Sequence, residues 1–291
     1  MEKSRVLVRF LKGVCTLIVV TGLSACSLLT LPDGLETAEK GQEQPVRDTF
    51  TQPQLSVSAE QAVSLDAAYA QQRRVVLKAL GSHPPGGFKA GLTTVASQQR
   101  FSLREPIAGV LWPDSGIAYS GEAATINRSQ FRRPMLEVEL AFRVNALIPE
   151  PLADVAEVHN VISEVMPAIE LPDLGFDSEV GVTGEAVVAA NAGARYFVFG
   201  APRPVEQVDV NAIRATLSRN GERVQRAEAT QVMGNQWRAL YWLINNMVSE
   251  GWVIQPGQIL LTGAMGEMLP LETGLYQAKF TELGELTLQV E

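Results

Sequence analysis

The stretch "RRPMLEVELAFRV", residues 132 to 144, contains the pattern that decides the fold. From Met135 to Val144 it reads as an apolar β-strand, yet it carries Glu137 and Glu139 two positions apart. Side chains at positions i and i+2 of a strand point to the same side. We therefore expect the two carboxylates to lie side by side on one face, where they either face water or share a positive partner.

The other residues of that face leave both interpretations open. Met135, Ala141 and Arg143 share the side of the glutamates, so this face is mixed, whereas the opposite face is apolar. A third carboxylate, Glu170 in "MPAIELPDLGF", also has apolar neighbours and follows a predicted helix. Three carboxylates that converge on one point require a hard divalent cation, and oxygen ligands favour Mg²⁺, Mn²⁺ or Ca²⁺ over zinc.

Lys89, in "GGFKAGLTT", is a further candidate for function. The simpler interpretation is an exposed lysine in a glycine-flanked loop. The alternative is a lysine beside a bound cation, which lowers the pKa of the amine and lets it act as an acid or a base. The two histidines are predicted to be structural or exposed, because His83 lies in a Pro-Gly loop and His159 lies in mid-helix.

The pattern outside these residues predicts one α+β domain. Helices are predicted from Ser58 to Gly81, from Glu150 to Met166 and from Asn235 to Gly251. Asn220-Gly221 predicts a hairpin turn between two strands, and further strands are predicted in "IAGVLW", "ARYFVFG", "VIQPGQILLTG" and the C-terminal "LYQAKFTELGELTLQVE".

The N-terminal residues predict a secreted, lipid-anchored protein. Residues 1–25 combine four basic residues, a short apolar run and small residues, which is the order of a secretory signal. "LSAC", ending at Cys26, resembles the lipobox of bacterial lipoproteins, whose cysteine is acylated after cleavage. We expect residues 26–56 to be a lipidated flexible linker and residues 57–291 to be the domain. Ser27 favours an envelope lipoprotein of the outer membrane, facing the periplasm; an ordinary signal peptide or a leader-like start to a cytoplasmic chain is the alternative.

Composition excludes two classes of function. The chain has 291 residues, is 46% hydrophobic and carries a net charge of −8, so binding to nucleic acid, which requires clustered Lys and Arg, is not expected. It has two cysteines, and Cys15 lies in the predicted signal, so that only Cys26 remains. An internal disulfide and a cysteine zinc site are therefore excluded in the mature chain.

Seven motifs in this order resemble one enzyme family: "GFKAGLTT", "GVLWPDSG", "PMLEVELAFRV", "MPAIELPD", "AANAGARYFVFG", "NGERVQRAEATQVMG" and "QILLTGAMG". They are similar to the 2-keto-4-pentenoate hydratase branch of the fumarylacetoacetate hydrolase superfamily, which also includes 4-oxalocrotonate decarboxylase. The resemblance implies a mixed β-roll or β-sandwich core with a helical N-terminal part, and a homo-oligomer. It further implies a lyase that adds water to a short 2-hydroxydienoic or 2-oxo acid through a metal-bound enolate.

The resemblance also assigns roles to single residues. Mg²⁺ or Mn²⁺ would be held by Glu137, Glu139 and Glu170, Lys89 would transfer protons, and Asp114 would lie beside the pocket as a second catalytic group. Substrate would contact a further set of residues, namely Asn191, Leu261, Thr262 and Gly263.

The chain departs from the family pattern at three positions, where Ala190 and Gly193 replace polar residues and Gln236 replaces a proline. The reaction type therefore stays open, and a decarboxylase of a related 2-oxo acid is the first alternative. The predicted envelope location leaves a second one, a lipid-anchored binding protein without turnover.

Overall fold

The computed structural model describes residues 50–53, 55, 64–175 and 182–291. The predicted signal peptide, the lipidation site at Cys26 and the predicted helix start at Ser58 lie outside these residues. In the described part of the chain, no helix is both long enough and apolar enough to cross a bilayer.

The described residues form five α-helices and fourteen strands. The helices are α1 (Leu65–Leu80), α2 (Val95–Arg100), α3 (Val158–Val161), α4 (Gly184–Ala189) and α5 (Gln236–Ser249). The strands are β1 (Gly87–Gly91), β2 (Ile107–Leu111), β3 (Gly116–Ala118), β4 (Ala124–Ile126), β5 (Met135–Val144), β6 (Ile162–Leu171), β7 (Tyr196–Phe199), β8 (Arg203–Pro204), β9 (Arg214–Arg219), β10 (Glu222–Glu228), β11 (Ile259–Leu261), β12 (Leu269–Pro270), β13 (Gly274–Phe280) and β14 (Gly284–Val290).

These strands form two mixed sheets. The larger sheet has the order β2-β1-β11-β5-β6-β7-β3, with β12 beside β5 and β8 beside β6. The smaller sheet has the order β10-β9-β13-β14-β4, and its β14 contacts β6 of the larger sheet. Within the larger sheet β1 is parallel to β11, and β5 is antiparallel to β11 and β6. The predicted α+β class with a mixed sheet core is confirmed.

Strand β5 lies in the middle of the larger sheet and separates two environments. Its even-numbered residues, Leu136 to Phe142, are fully buried, and the ring of Phe142 lies 6.4 Å from that of Trp237 on α5. The odd-numbered residues carry the glutamates on the other face. Burial of the even-numbered side chains fixes the pairing register of β5, because a slip by one residue would place the carboxylates against α5.

Several helices and strands have bounds that the sequence predicted. Strand β5 has the predicted bounds, the hairpin of β9 and β10 turns at Asn220-Gly221, and α5 begins after Asn235. The Asn235 Oδ1 accepts hydrogen bonds from two backbone N–H groups of the first turn, which makes it the N-cap. Helix α1 ends before Gly81, as predicted, and its N-cap is Ser64.

The helix predicted from Glu150 to Met166 is wrong. A 3₁₀ turn (Val155–Glu157) and the single turn of α3 end at Val161, and the chain then enters β6. The apolar spacing fits a helix, but β-branched residues such as Ile162 and Val165 favour a strand. Pairing along nearly the whole of β5 decides between the two, so Glu170 lies in a strand and does not follow a helix.

Candidate metal centre

The three predicted metal ligands come together on one face of the central strand pair. Glu137 on β5 is directly opposite Glu170 on β6, and Glu139 is opposite Ala168. Directly opposed side chains of an antiparallel pair are neighbours, and like charges there repel each other. One carboxylate oxygen from each of Glu137, Glu139 and Glu170 lies within 4.8 Å of the others.

The cluster is buried, which makes the repulsion costly. Glu139 and Glu170 are fully buried, while Glu137 is partly exposed. Glu139 Oε1 and Glu170 Oε2 have no hydrogen-bond partner among the described residues. Buried carboxylate oxygens without a donor are expensive, so this arrangement favours either protonation or a cation.

The acid–base properties of the glutamates follow from this burial. Desolvation, reinforced by the charge of the neighbouring Glu170, raises the pKa of Glu137 from 4.5 to about 8. Desolvation also raises the pKa of Glu139 well above its ordinary value, and the two other carboxylates add to that effect. A cation that binds between Glu137 and Glu139 would therefore compete with protons for their oxygens.

Lys89 lies against the cluster. It belongs to β1 and is 2% exposed, so the interpretation of an exposed loop lysine is wrong. Its Nζ lies 2.6 Å from Glu170 Oε1 and donates a hydrogen bond to Ala192 O at 3.3 Å. Burial alone lowers the pKa of Lys89, but Glu170, Glu137 and Glu139 more than offset it, and the net direction is upward.

The glycines around Lys89 allow close packing of strands. A Cβ on Gly87 would lie 1.8 Å from Ile259 O on the parallel strand β11. This contact explains why a glycine-flanked segment, which suggests a loop, is a strand here.

The segment that follows β11 contributes a backbone hydrogen bond to the carboxylate cluster. The Gly263 N–H donates to Glu139 Oε2 at 2.9 Å. The Thr262 hydroxyl instead points into the core, where it donates to Gln236 Oε1 at 2.6 Å, and Leu261 is fully buried. Gly263 has φ +106, and a Cβ there would lie 2.6 Å from Thr93 Cγ2, so this position requires glycine.

Asn191 is buried and its side chain bonds to a strand. Its Oδ1 accepts from Val110 N at 2.7 Å, and its Nδ2 donates to Val110 O at 2.8 Å. Only 1% of the residue is exposed, so its predicted contact with substrate would require movement of this segment. Asn191 and Ala192 have φ of +58 and +50, and left-handed backbone at a non-glycine residue costs about 1–3 kcal/mol.

Asp114 and the two histidines lie apart from these contacts. Asp114 is exposed in the turn between β2 and β3, and its predicted catalytic role stays a prediction. His83 contacts Leu80 O and the ring of Phe50, and the ring of His159 lies 3.8 Å from that of Trp237.

Two residues that support the site, Ala192 and Gln236, were not assigned a role from the sequence. Ala192 contributes only a carbonyl oxygen, and no sequence signal identifies such an acceptor. Gln236 is fully buried and links Ala229 O to the Thr262 hydroxyl. The one feature of the sequence that distinguished Gln236 was that it replaces a proline of the family pattern.

A cluster of buried apolar side chains adjoins the carboxylates on the same face of the sheet. It is a second cluster of buried residues, separate from the main core, formed by Leu111, Ala141, Met166, Ala168, Phe197, Ile259 and Leu261. Because Ala141 follows Glu139 on the same side of β5, the charged and apolar parts are continuous.

The donor set fits a hard divalent cation. Mg²⁺ binds oxygen at 2.0–2.1 Å, so two of its ligands lie at most about 4.2 Å apart. The oxygens of Glu137, Glu139 and Glu170, within 4.8 Å of one another, need only a small closure to reach that geometry. All three groups are carboxylates, which suits Mg²⁺ or Mn²⁺ better than zinc.

Comparison with known proteins identifies the family of this chain. Residues 87–291 match the family model described as fumarylacetoacetate (FAA) hydrolase C-terminal. The chain is 28% identical over 252 residues to a 2-keto-4-pentenoate hydratase of Paraburkholderia xenovorans, covering 85% of this chain and 88% of the relative. It is 28% identical over 263 residues to a 2-oxo-hept-4-ene-1,7-dioate hydratase of Escherichia coli, covering 87% and 94%.

Among solved structures, the fold is similar to that of 4-oxalocrotonate decarboxylase from Pseudomonas putida G7, complexed with magnesium and adipate. The TM-score is 0.71 at 23% sequence identity, and the match covers 78% of this chain and 86% of the other. At this identity the similarity establishes the fold.

Proposed function

This chain belongs to the FAA hydrolase C-terminal family, and on that basis we propose that it is a divalent-metal-dependent hydro-lyase. Its substrate would be a short 2-hydroxydienoic or 2-oxo acid, to which it adds water. The curated relatives support this choice, because two of them are hydratases of 2-oxo acids that match over at least 85% of this chain. The observation that carries the proposal is the buried set of Glu137, Glu139 and Glu170 with Lys89 held against it.

Each of these residues has a role that its environment supports. Glu137, Glu139 and Glu170 would hold Mg²⁺ or Mn²⁺, and Gly263 N–H fixes one of the carboxylates. The bound cation would supply Lewis-acid stabilisation of negative charge on the substrate's C2 oxygen. Lys89 would move the proton at the carbons of the conjugated acid, since its ammonium is buried beside the ligands.

The partly exposed position of Glu137 supports a path for substrate. Glu139, Glu170 and Lys89 are almost fully buried, so a ligand reaches the cluster from the side of Glu137. The apolar cluster around Ala141 and Met166 would then contact the carbon chain. Such surroundings exclude bulk water and strengthen electrostatic interactions at the reacting atoms.

A small screen of 2-oxo and 2-hydroxydienoic acids tests the function. The absorbance of 2-hydroxypenta-2,4-dienoate should fall in the presence of protein with Mg²⁺, and not after chelation. Lys89→Met should lower kcat by about 10²–10⁴-fold, the usual contribution of acid–base catalysis, because it removes the proton-transfer group. Metal binding without turnover of any acid in the screen would contradict the hydratase and support a binding protein.

Measurement of carbon dioxide release distinguishes a hydratase from the alternative, a decarboxylase. A hydratase should convert a 2-oxo-4-ene dioate without releasing CO₂. Release at the rate of substrate loss would identify a decarboxylase acting through the same carboxylate and lysine groups.

We also propose that the protein is an envelope lipoprotein anchored through Cys26, on the outer membrane and facing the periplasm. The order of basic, apolar and small residues before Cys26 supports this proposal. Cys26→Ala should release the protein from the membrane fraction, and its retention there would contradict the anchor. The homo-oligomer expected from the family resemblance stays a prediction.

A further inference from the structure

We propose that Asn191 is a positioning residue that fixes the Lys89 ammonium through the carbonyl group of Ala192. The inference rests on the proposed function, because it gives Lys89 a defined place beside the carboxylates. It differs from the role that the family resemblance implied for Asn191, which was contact with substrate.

The first observation concerns the edge of the larger sheet. β2 is the terminal strand of that sheet, so beyond it there is no further strand in the described residues. Asn191 occupies this edge, because its side chain accepts from Val110 N and donates to Val110 O. A neighbouring antiparallel strand would form the same pair of bonds with one residue. The amide therefore anchors the segment 191–193 to β2.

The second observation concerns the backbone that this anchor holds. Asn191, Ala192 and Gly193 have φ of +58, +50 and +66, which is three successive left-handed residues. A left-handed conformation at a residue with a Cβ persists only when the surroundings impose it. The two side-chain bonds to Val110 hold it at its first residue, and backbone bonds from Gly193 N to Ala190 O and from Asp173 N to Gly193 O hold it further on.

The third observation is what the turn presents. Ala192 O accepts a hydrogen bond from Lys89 Nζ at 3.3 Å. The close approach depends on Gly109, which pairs with Lys89 across β1 and β2 and whose Cβ would lie 2.7 Å from Asn191 O. The anchored segment thus reaches over β2 to the lysine on the next strand.

These contacts give the ammonium two fixed neighbours. Glu170 Oε1 lies on one side at 2.6 Å, and Ala192 O accepts a hydrogen bond from the same nitrogen. A lysine side chain has a flexible stem of four methylene groups, so two hydrogen-bonding neighbours define the position of its nitrogen better than one does. Loss of the Asn191 side chain would remove the two bonds that tie this carbonyl group to β2 and so weaken the second contact of the ammonium.

Amine labelling of the full-length protein tests the inference without reference to turnover. The variant is Asn191→Ala, and the control is Asn220→Ala, at a residue that also has left-handed backbone (φ +50) and accepts a backbone hydrogen bond, from Leu275 N, in the hairpin of the smaller sheet. Acetic anhydride labelling at one pH, quantified by mass spectrometry, should rise several-fold at Lys89 in Asn191→Ala. Labelling at Lys89 in Asn220→Ala should equal that of the parent protein, and the exposed Lys279 serves as the internal standard.

Kinetics distinguish positioning from contact with substrate. With Mg²⁺ and 2-hydroxypenta-2,4-dienoate, Asn191→Ala should lower kcat by about 100-fold, as expected for a misplaced reacting group, and leave KM within about two-fold. Asn191→Asp, which keeps an acceptor for Val110 N and tolerates left-handed backbone, should recover part of kcat. A raised KM with an unchanged kcat would show contact with substrate and overturn the inference.

The labelling result decides the inference even if the hydratase assignment fails. Unchanged Lys89 labelling in Asn191→Ala would overturn it whatever the activity of the parent protein. If Asn191→Ala does not fold, Asn191→Gly replaces it, because glycine adopts the left-handed backbone without strain and removes only the side-chain bonds. Raised Lys89 labelling in Asn191→Gly supports the inference, and parental labelling contradicts it.

Discussion

Replacement of Lys89 by methionine tests the electrostatics of the cluster. The lysine is 2% exposed, and its Nζ lies 2.6 Å from Glu170 Oε1. Methionine occupies a similar volume, so the substitution removes the charge and leaves little empty space. Without the ammonium, three buried or partly buried carboxyl groups share one site with no cation among their described contacts.

The size of the effect follows from the burial of the pair. Removal of one partner of a buried ion pair costs about 3–5 kcal/mol, because the other charge stays buried and uncompensated. For a domain of 150–250 residues, each kcal/mol shifts Tm by about 2–4 °C, so Tm should fall by roughly 6–20 °C. The loss should be larger at about pH 9 than at about pH 5, where the carboxyl groups can take up protons.

Calorimetry of the metal-free protein measures this loss, with Lys279→Met as the matched control. Lys279 forms an exposed pair with Glu285 at 3.5 Å, and such pairs contribute at most about 1 kcal/mol. If Lys89→Met unfolds at the same temperature as Lys279→Met, the lysine does not neutralise the cluster. The variant should still bind Mn²⁺, which at 100 times Kd adds about 2.7 kcal/mol of stability.

Two further predictions concern protonation and the backbone support of Glu139. Because burial raises the pKa of Glu137 from 4.5 to about 8, the metal-free protein should be most stable below about pH 4.5 with respect to this group and should lose that stability as the pH rises through about 8. Urea unfolding at several pH values over this range measures the free energy of unfolding, and Mn²⁺ should reduce its dependence on pH. The contribution of Glu137 is the difference between the parent protein and Glu137→Gln. An increase of that contribution with rising pH would contradict the prediction. Gly263→Ala should cost more than about 1 kcal/mol and weaken Mn²⁺ binding, because the new Cβ meets Thr93 and displaces the N–H that holds Glu139. Gly284→Ala, also at positive φ but with no atom within 4 Å of the new Cβ, is the control, and equal effects of the two on Mn²⁺ affinity would exclude the support role.

The central strand pair shows what the sequence could predict. Alternation from Met135 to Val144 predicted β5 with its observed bounds, because one set of alternate residues is wholly apolar. The grouping of Glu137 and Glu139 followed from the same alternation. Likewise, Asn220-Gly221 predicted a hairpin, since this pair suits the turn that joins two antiparallel strands.

The remainder of the site depends on contacts between distant segments. The register that places Glu170 opposite Glu137 is a property of the pairing of β5 with β6, and the apolar spacing that runs into the first half of β6 predicted a helix instead. Lys89 was indistinguishable from an exposed lysine, because its burial requires β2 and β11 on either side of β1. The Ala192 carbonyl group reaches Lys89 from a left-handed backbone segment, and no sequence periodicity encodes such a segment.

Crystallography with Mn²⁺ tests most directly whether Glu137, Glu139 and Glu170 hold one divalent cation. Diffraction data collected at the manganese absorption edge should show one strong anomalous peak between the three carboxylates, and the peak should disappear in Glu170→Gln. Crystals that contain bound manganese but show no peak between these carboxylates would contradict the account.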